Sequence, residues 1–386
     1  MVVLFAGDYY PNRRVVSLVE NNETAVIADD IRDLVNSADY SVFNYESPIV
    51  TRLDCKPIVK AGPNLKSTVK AAQYIKDVGF KMATLANNHI LDYGGEALAD
   101  TKEILENIQL DTVGAGKNIS EASRMLYKRI CGKVIAFINC CEHEFSIATE
   151  TQAGANPLNP ISQFYAIKEA KEKADYVIVI VHGGIEHFQF PSQRMVDTYR
   201  FFIDAGASVV VNHHQHCYSG FEEYNGGLIF YGLGNFCFDS FESPCSTNNN
   251  IWNEGYMLRL DLNQEKITFK LYPYIQCAKE PKVELMRDHA LSSFEEKISE
   301  INTIIQNPLL LKERNERWMS ETYLYLQTIL LPYPHHYLIS AANRGWIPKC
   351  MNKTRVARLL NKVDCESHRD RLVFYLKHIL KGLESK

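Results

Sequence analysis

The chain has 386 residues, 46% hydrophobic and 23% charged, which excludes a disordered protein and supplies apolar material for a large domain with a smaller one. Its 46 acidic and 42 basic residues give a net charge of −4, so the overall charge does not call for nucleic acid as a partner. The average conceals an asymmetry: residues 279–386 hold 18 Lys and Arg against 13 Asp and Glu, while the first 278 hold 24 against 33.

The opening Met1-Val2-Val3-Leu4-Phe5-Ala6-Gly7-Asp8 lacks the charged start and long apolar core of a signal peptide and is expected to be a strand over residues 2–5. Further strands are predicted at 41–43, 82–85, 133–138, 176–181, 209–211 and 228–231. Helices are predicted between them at 28–36, 67–78, 95–108, 161–173 and 192–205. Strand alternating with helix in this way defines an α/β protein with a parallel-type sheet and crossover helices. After Asn235 the spacing changes to two alternating strands, 256–262 and 266–274, around the turn-like Asn263-Gln264.

From about Cys277 the strand signal gives way to helical periods at 285–306, 309–331, 353–363 and 367–380, separated by prolines. The expected organisation is therefore a main domain over 1–277 and an all-helical C-terminal extension over 278–386. Residues 344–386 carry 11 basic and 4 acidic side chains. They are readable as a solvated helical face or as a contact for a biosynthetic partner. No apolar run approaches the roughly 20 residues of a membrane helix, so no transmembrane segment is expected and the location is expected to be cytoplasmic. Ten cysteines, none in a CxxC pair and two of them adjacent (Cys140 and Cys141), read as free thiols rather than disulfides or a thiolate zinc site.

The chemistry lies just after the strands. The first predicted strand runs into Gly7-Asp8, the next into Asn44-Tyr45-Glu46, and the third into Asn87-Asn88-His89 followed by Asp92. The strand at 176–181 runs into His182-Gly183-Gly184-Ile185-Glu186, and that at 209–211 into Asn212-His213-His214-Gln215-His216. Carboxyl ends of strands form the ligand crevice of an α/β sheet, so these groups are expected to converge from across some 200 residues of chain.

Taken alone, Asp8, Asn44 and Glu46 read more readily as caps and loop hydrogen-bonding groups than as ligands. Asn88 beside His89 offers one hard and one borderline ligand, and Asp92 is placed to hold a ring N–H of His89. In extended chain His214 and His216 would point to one side and share a metal. Asp, Glu, Asn and His without thiolates suit Mn, Fe or Zn. More ligand candidates than one ion can use imply two divalent ions, which would activate water for attack at phosphorus or a carbonyl.

These segments resemble the CapA family of capsule and poly-γ-glutamate synthesis proteins, a branch of the calcineurin-like metallophosphoesterase superfamily, over about residues 2–240. The resemblance is carried by Phe5-Ala6-Gly7-Asp8, Asn44-Tyr45-Glu46-Ser47-Pro48, Leu85-Ala86-Asn87-Asn88-His89-Ile90-Leu91-Asp92-Tyr93-Gly94, His182-Gly183-Gly184-Ile185-Glu186, His214-Gln215-His216 and Tyr231-Gly232-Leu233-Gly234-Asn235-Phe236. It implies two packed mixed β-sheets flanked by helices.

By the same resemblance Asp8, Glu46, Asn88, His182, His214 and His216 are the expected metal ligands, with His89 and Asp92 catalytic. Asn44, Lys60, His213 and Asn235 are the expected substrate-side or supporting residues. Lys60 is expected either to meet a substrate anion or to be an ordinary surface lysine. Tyr10 stands where the phosphoesterases keep a ligand histidine, a departure that bears on the ion nearest Asp8.

The implied function is a metal-dependent hydrolase, phosphoesterase-like, acting in capsule, exopolysaccharide or poly-γ-glutamate biosynthesis. Its partner would be an anionic polymer or a phosphorylated saccharide intermediate. A γ-glutamyl amide hydrolase or transferase, and a non-catalytic polymer-assembly protein, remain as alternatives.

Overall fold

Side-chain parity along the first strand sets the layers. In β1 (Val2–Tyr9) the residues Val3 and Phe5 pack into one hydrophobic cluster, while Leu4 and Ala6 pack into another. The neighbouring strands β2 (Tyr40–Tyr45) and β3 (Met82–Thr84) divide the same way: Val42 and Met82 join Val3 and Phe5, whereas Phe43 and Ala83 join Leu4. Both faces of this sheet are thus buried, which is why its parallel strands read as continuous apolar runs.

The first sheet continues from β3 to β4 (Asp111–Val113), all parallel, and on the other side of β1 through antiparallel β14 (Glu254–Leu262), β15 (Ile267–Gln276) and β16 (Val283–Leu285). The short β13 (Asn235–Phe236) pairs in parallel with the end of β1, Asp8 opposite Asn235. The second sheet has the order β11 (Phe221–Tyr224), β12 (Gly227–Phe230), β10 (Val209–His213), β9 (Tyr176–His182), β7 (Lys133–Cys141) and β6 (Leu126–Ile130). A separate two-stranded ladder joins β5 (Ala115–Gly116) to β8 (Gly154–Ala155). Both large sheets are mixed, and they share one core, where Val3, Phe5, Val42 and Met82 meet Ile135, Phe137, Ile178, Ile180, Val209 and Val211. Burying one such side chain stabilises the fold by about 1.5–3 kcal/mol.

Helices cover the outer faces. The first sheet is covered by α1 (Arg13–Glu20), α2 (Ala25–Asn36), α3 (Val69–Val78) and α4 (Gly94–Asn107), whose buried residues include Val15, Ile31, Ile75 and Leu98. A single turn, α5 (Ile119–Ala122), follows β5. The second sheet is covered by α6 (Pro160–Lys173) and α7 (Gln193–Ala205). Their starts are written in the sequence: Asn159 caps α6 with Pro160 in its first turn, and the Ser192 hydroxyl accepts from Met195 N. The expected two packed mixed sheets flanked by helices are what the chain forms.

The computed structural model describes residues 1–239, 251–263, 266–321, 335–348 and 353–364, together with Val373 and Leu376. The turn residue Gln264 and most of the helix expected at 367–380 lie outside the described residues. The chain divides into two compact units, Met1–Glu313 and Arg314–Lys386. Position 277/278, where the strand signal fades, lies within the first unit. There β16 extends the sheet, and α8 (Asp288–Gln306) buries Phe294, Ile298, Ile301 and Ile305 in the inter-sheet core cluster. Phe294 rests against Tyr218 at 5.0 Å between ring centres. The helix α9 (Pro308–Glu321) follows, and the second unit includes helices His336–Asn343 and Lys353–Asp364.

Candidate metal centre

Five strands of the two sheets deliver side chains to one crevice. Straight alternation from Leu4 and Ala6 would send Asp8 to the helix-covered face. The pairing of β1 with β2 shifts register between Phe5 and Asp8, and after the shift it is Tyr9 that lies with Leu4 and Ala6. Asp8 therefore faces the second sheet, a use of strand irregularity to re-aim a side chain. No re-aiming is needed on β2, where Val42, Asn44 and Glu46 share one face by ordinary alternation.

From the second sheet, His182 ends β9 and pairs with His213 at the end of β10. His214 and His216 do not lie in extended chain. They follow the strand with φ of 89° and 55°. Their shared direction is set by this left-handed loop and not by the strand alternation expected for them, because β10 ends at His213. Positive φ at two such neighbours costs about 1–3 kcal/mol each and collects at functional sites.

The side chains meet in two overlapping triads, Glu46 with His182 and His214, and Asp8 with Glu46 and His216. In each, all ligand atoms lie within 4.8 Å of one another. Donors on opposite sides of one divalent ion stand about 4.2 Å apart, so each triad has the span of one ion. Glu46 belongs to both. It is fully buried, and neither carboxylate oxygen has a hydrogen-bond partner among the described residues. Its nearest basic atoms are His182 Nε2 and His216 Nε2, each 3.7 Å from Oε1.

Asn88 Oδ1 and His214 Nδ1 lie 3.0 and 3.1 Å from the same His182 Nε2, so three donor atoms face one point. An uncompensated buried carboxylate costs several kcal/mol, and converging lone pairs add to that cost. Divalent cations would remove both penalties, and the all-O,N donor set fits Mn, Fe or Zn.

The ionisation preferences agree. Burial, reinforced by Asp8 and then by Glu186, Glu144 and Asp92, holds the Glu46 carboxyl well above the usual range. Burial also raises Asp8, against the opposing effects of His213 and the hydrogen bonds from His214 N and Asn44. Burial followed by the neighbouring imidazoles pushes His182 and His216 well below the ordinary histidine value, which keeps both available as neutral ligands.

Asn44 and Asn235 support these ligands from within the core. Asn44 Nδ2 donates to Asp8 Oδ1 at 2.8 Å and lies 3.2 Å from His182 Nδ1, while Asn235 Oδ1 lies 2.9 Å from His216 Nδ1. Both are buried and hydrogen-bonded to expected ligands. His213 does not join the group: its Nε2 meets the Ala6 carbonyl at 3.1 Å within the fold. Tyr10 packs edge-on against Phe238 at 5.0 Å and offers no imidazole near Asp8.

A second polar cluster adjoins the first. His89 Nδ1 lies 2.7 Å from Asp92 Oδ2, and Lys60 Nζ lies 2.5 Å from Asp92 Oδ1 and 3.0 Å from His89 Nδ1. The Lys60 side chain is only 1% exposed, so the surface-lysine reading does not hold: its ammonium is drawn inward by Asp92. Asp92 also accepts from Leu65 N at 2.6 Å, and its carbonyl accepts from Ile58 N at 2.9 Å, which ties the 58–65 loop to this cluster. Two acceptors cannot sit 2.7 Å apart, so His89 Nδ1 carries a proton donated to Asp92. Burial pushes the His89 imidazole below its ordinary value, opposed by Asp92.

Sequence reasoning passed over Glu144, which sits beside Asn88 and His214, and over Trp252, whose ring is 4.9 Å from His216. Glu144 follows β7 as the other groups follow their strands, so the same rule applied there would have found it. Trp252 follows a segment with no strand or ligand pattern, and nothing local marked it.

Two packed mixed sheets with buried Asp, Glu, Asn and His gathered at their strand ends define an α/β protein with a candidate metal centre. The family described as bacterial capsule synthesis protein PGA_cap matches residues 2–240, and the chain belongs to that family. It is 33% identical over 250 residues to the capsule biosynthesis protein CapA of Bacillus anthracis, covering 62% of this chain and 60% of that protein. It is 34% identical over 239 residues to the PGA biosynthesis protein CapA of Bacillus subtilis, covering 61% and 62%. The chain thus spans about three fifths of the length of these curated relatives. Among solved structures, a 5'-nucleotidase precursor from Thermus thermophilus aligns with a TM-score of 0.44 at 12% identity, over 80% of this chain and 60% of that one.

Proposed function

We propose that this protein is a metal-dependent hydrolase of capsule, exopolysaccharide or poly-γ-glutamate biosynthesis, acting on phosphate esters. The observation that carries the reading is Glu46, a buried carboxylate without hydrogen bonds, shared by two ligand triads. Asp8, Glu46 and His216 would hold one divalent ion, and Glu46, Asn88, His182 and His214 the other. Two such ions supply Lewis-acid polarisation of a phosphoryl or carbonyl oxygen and an activated water.

The chain's own residues would do the rest. Asn44 and Asn235 hold Asp8 and His216 in their orientations by the hydrogen bonds given above. His89, with Nδ1 committed to Asp92, has Nε2 left to hand a proton to the leaving oxygen or to steady negative charge there. Lys60 pairs with Asp92 from its other oxygen, and so holds the carboxyl group against the His89 ring.

A second reading within the same chemistry is cleavage or transfer at a γ-glutamyl amide, toward which the name of one relative, a PGA biosynthesis protein, points. The deciding experiment combines metal analysis of protein purified without chelator with a panel of phosphomonoesters, phosphodiesters and γ-glutamyl peptides. Turnover of an ester that is lost in the His214→Ala/His216→Ala double variant supports the first reading, and turnover of the peptides alone supports the second. Two bound ions with no turnover of any compound would overturn both and leave a polymer-binding or assembly role.

A further inference from the structure

Glu144 lies on the loop that leaves β7, a segment stitched to the candidate centre on two sides. Glu142 N donates to the His182 carbonyl at 3.0 Å, and the Ser146 hydroxyl donates to the Asn88 carbonyl at 2.6 Å. Two expected ligands are therefore clamped by the residues flanking Glu144. The other glutamate of the loop is spoken for: Glu142 Oε1 takes Arg194 at 2.6 Å. The Glu144 carboxylate instead turns toward the centre. Oε2 accepts from Asn88 Nδ2 at 2.9 Å, and Oε1 stands 3.7 Å from His214 Nε2.

The hydrogen bond decides which atom Asn88 presents, and the carboxylate 3.7 Å from Nε2 favours a proton on that edge of His214. With its amide NH2 engaged by Glu144, Asn88 must turn Oδ1 toward His182 Nε2, the only orientation in which it can ligate an ion. His214 presents Nδ1 to the same point, and its opposite edge, Nε2, faces Glu144. A carboxylate on the far nitrogen of a ligating imidazole fixes the tautomer and ring orientation and raises the basicity of the ligating nitrogen.

The geometry points to Glu144 as the positioning residue of one of the two ion sites, the Glu46–Asn88–His182–His214 site. Among the described residues its hydrogen bond and its ion-pair contact go to Asn88 and His214, so its direct contacts fall on one ion site, while its charge reaches the shared Glu46 only through space. This role rests on the two-ion reading proposed above, and the test separates the two.

The test is a Co²⁺ titration of the full-length, metal-stripped protein, read by visible absorption and calorimetry, for the parent, Glu144→Gln and Glu144→Asp. The expected result is two binding steps in the parent, of which Glu144→Gln weakens one by about 10–100-fold and leaves the other unchanged. The melting temperature of the metal-free protein should stay the same, and Glu144→Asp should recover part of the lost affinity. Both steps unchanged in Glu144→Gln would overturn the role. So would both steps weakening together with a lower melting temperature, which marks a general structural effect. A parent that binds no Co²⁺ would overturn the two-ion reading itself and this role with it, a result distinct from a parent that binds two ions indifferently to Glu144.

Discussion

The two buried polar clusters lie side by side and are built on opposite principles. In the Lys60–Asp92–His89 cluster the charges cancel within the protein: ammonium meets carboxylate at 2.5 Å, and the imidazole closes on the other oxygen at 2.7 Å. In the Asp8–Glu46 cluster they do not cancel. Two buried carboxyls face neutral imidazoles, and Glu46 has no hydrogen-bond donor among the described residues. A cluster that is complete in itself can hold a proton and a ring in place, whereas one left short of positive charge is a receptor for cations. The contrast supports the proposed roles, cation binding for one and proton handling for the other.

The widest test of the contrast is the His214→Ala/His216→Ala variant, which takes a histidine from each triad. Elemental analysis should show near two ions per chain in the parent and loss of both in the variant; equal metal in the two proteins would end the assignment. Next in size is His89→Ala, expected to lower turnover about 10²–10⁴-fold with metal content unchanged, since this ring belongs to the self-compensated cluster. A fall in bound metal would merge the two clusters into one.

Lys60→Met leaves the buried Asp92 without its cation, and thermal or urea unfolding should register a loss of about 3 kcal/mol. No loss would mean that the ion pair does not close this cluster.

Glu46→Gln gives the smallest change and the opposite sign. The Glu46 carboxyl is raised in the folded protein, so the metal-free native state holds a proton that the unfolded chain releases, and its stability falls as pH rises through the window above the ordinary carboxylate value. Removing that charge should stabilise the chelated protein at pH 8 by about 1–3 kcal/mol, with little gain near pH 4, while abolishing tight binding of two ions. A variant less stable than the chelated parent at pH 8 would mean that Glu46 is compensated after all.

Much of this was legible before folding was considered. Apolar runs ending in Asp8, Glu46, Asn88, His182 and His214 announced strands and what their ends carry, because a fully buried parallel strand has no other sequence pattern. Lys60 was ambiguous, since nothing near it in the chain shows that Asp92 will draw it in. His213 was expected on the substrate side, and nothing near it in the chain shows that the end of β10 will place its Nε2 against Ala6 O.

The sequence by itself determined the α/β class, the order of the main strands and the kinds of donor atom brought to their ends, for these follow from local periodicity and residue chemistry. Tertiary structure alone decided which of these candidate donors come together. It needed the register shift between Phe5 and Asp8 to turn Asp8 inward, and left-handed backbone at His214 and His216 to aim their rings. It also needed α8 to complete the first unit by burying an isoleucine stripe that reads, in isolation, like any amphipathic helix. Each of these depends on contacts between residues far apart in the chain, and no local pattern encodes such a contact.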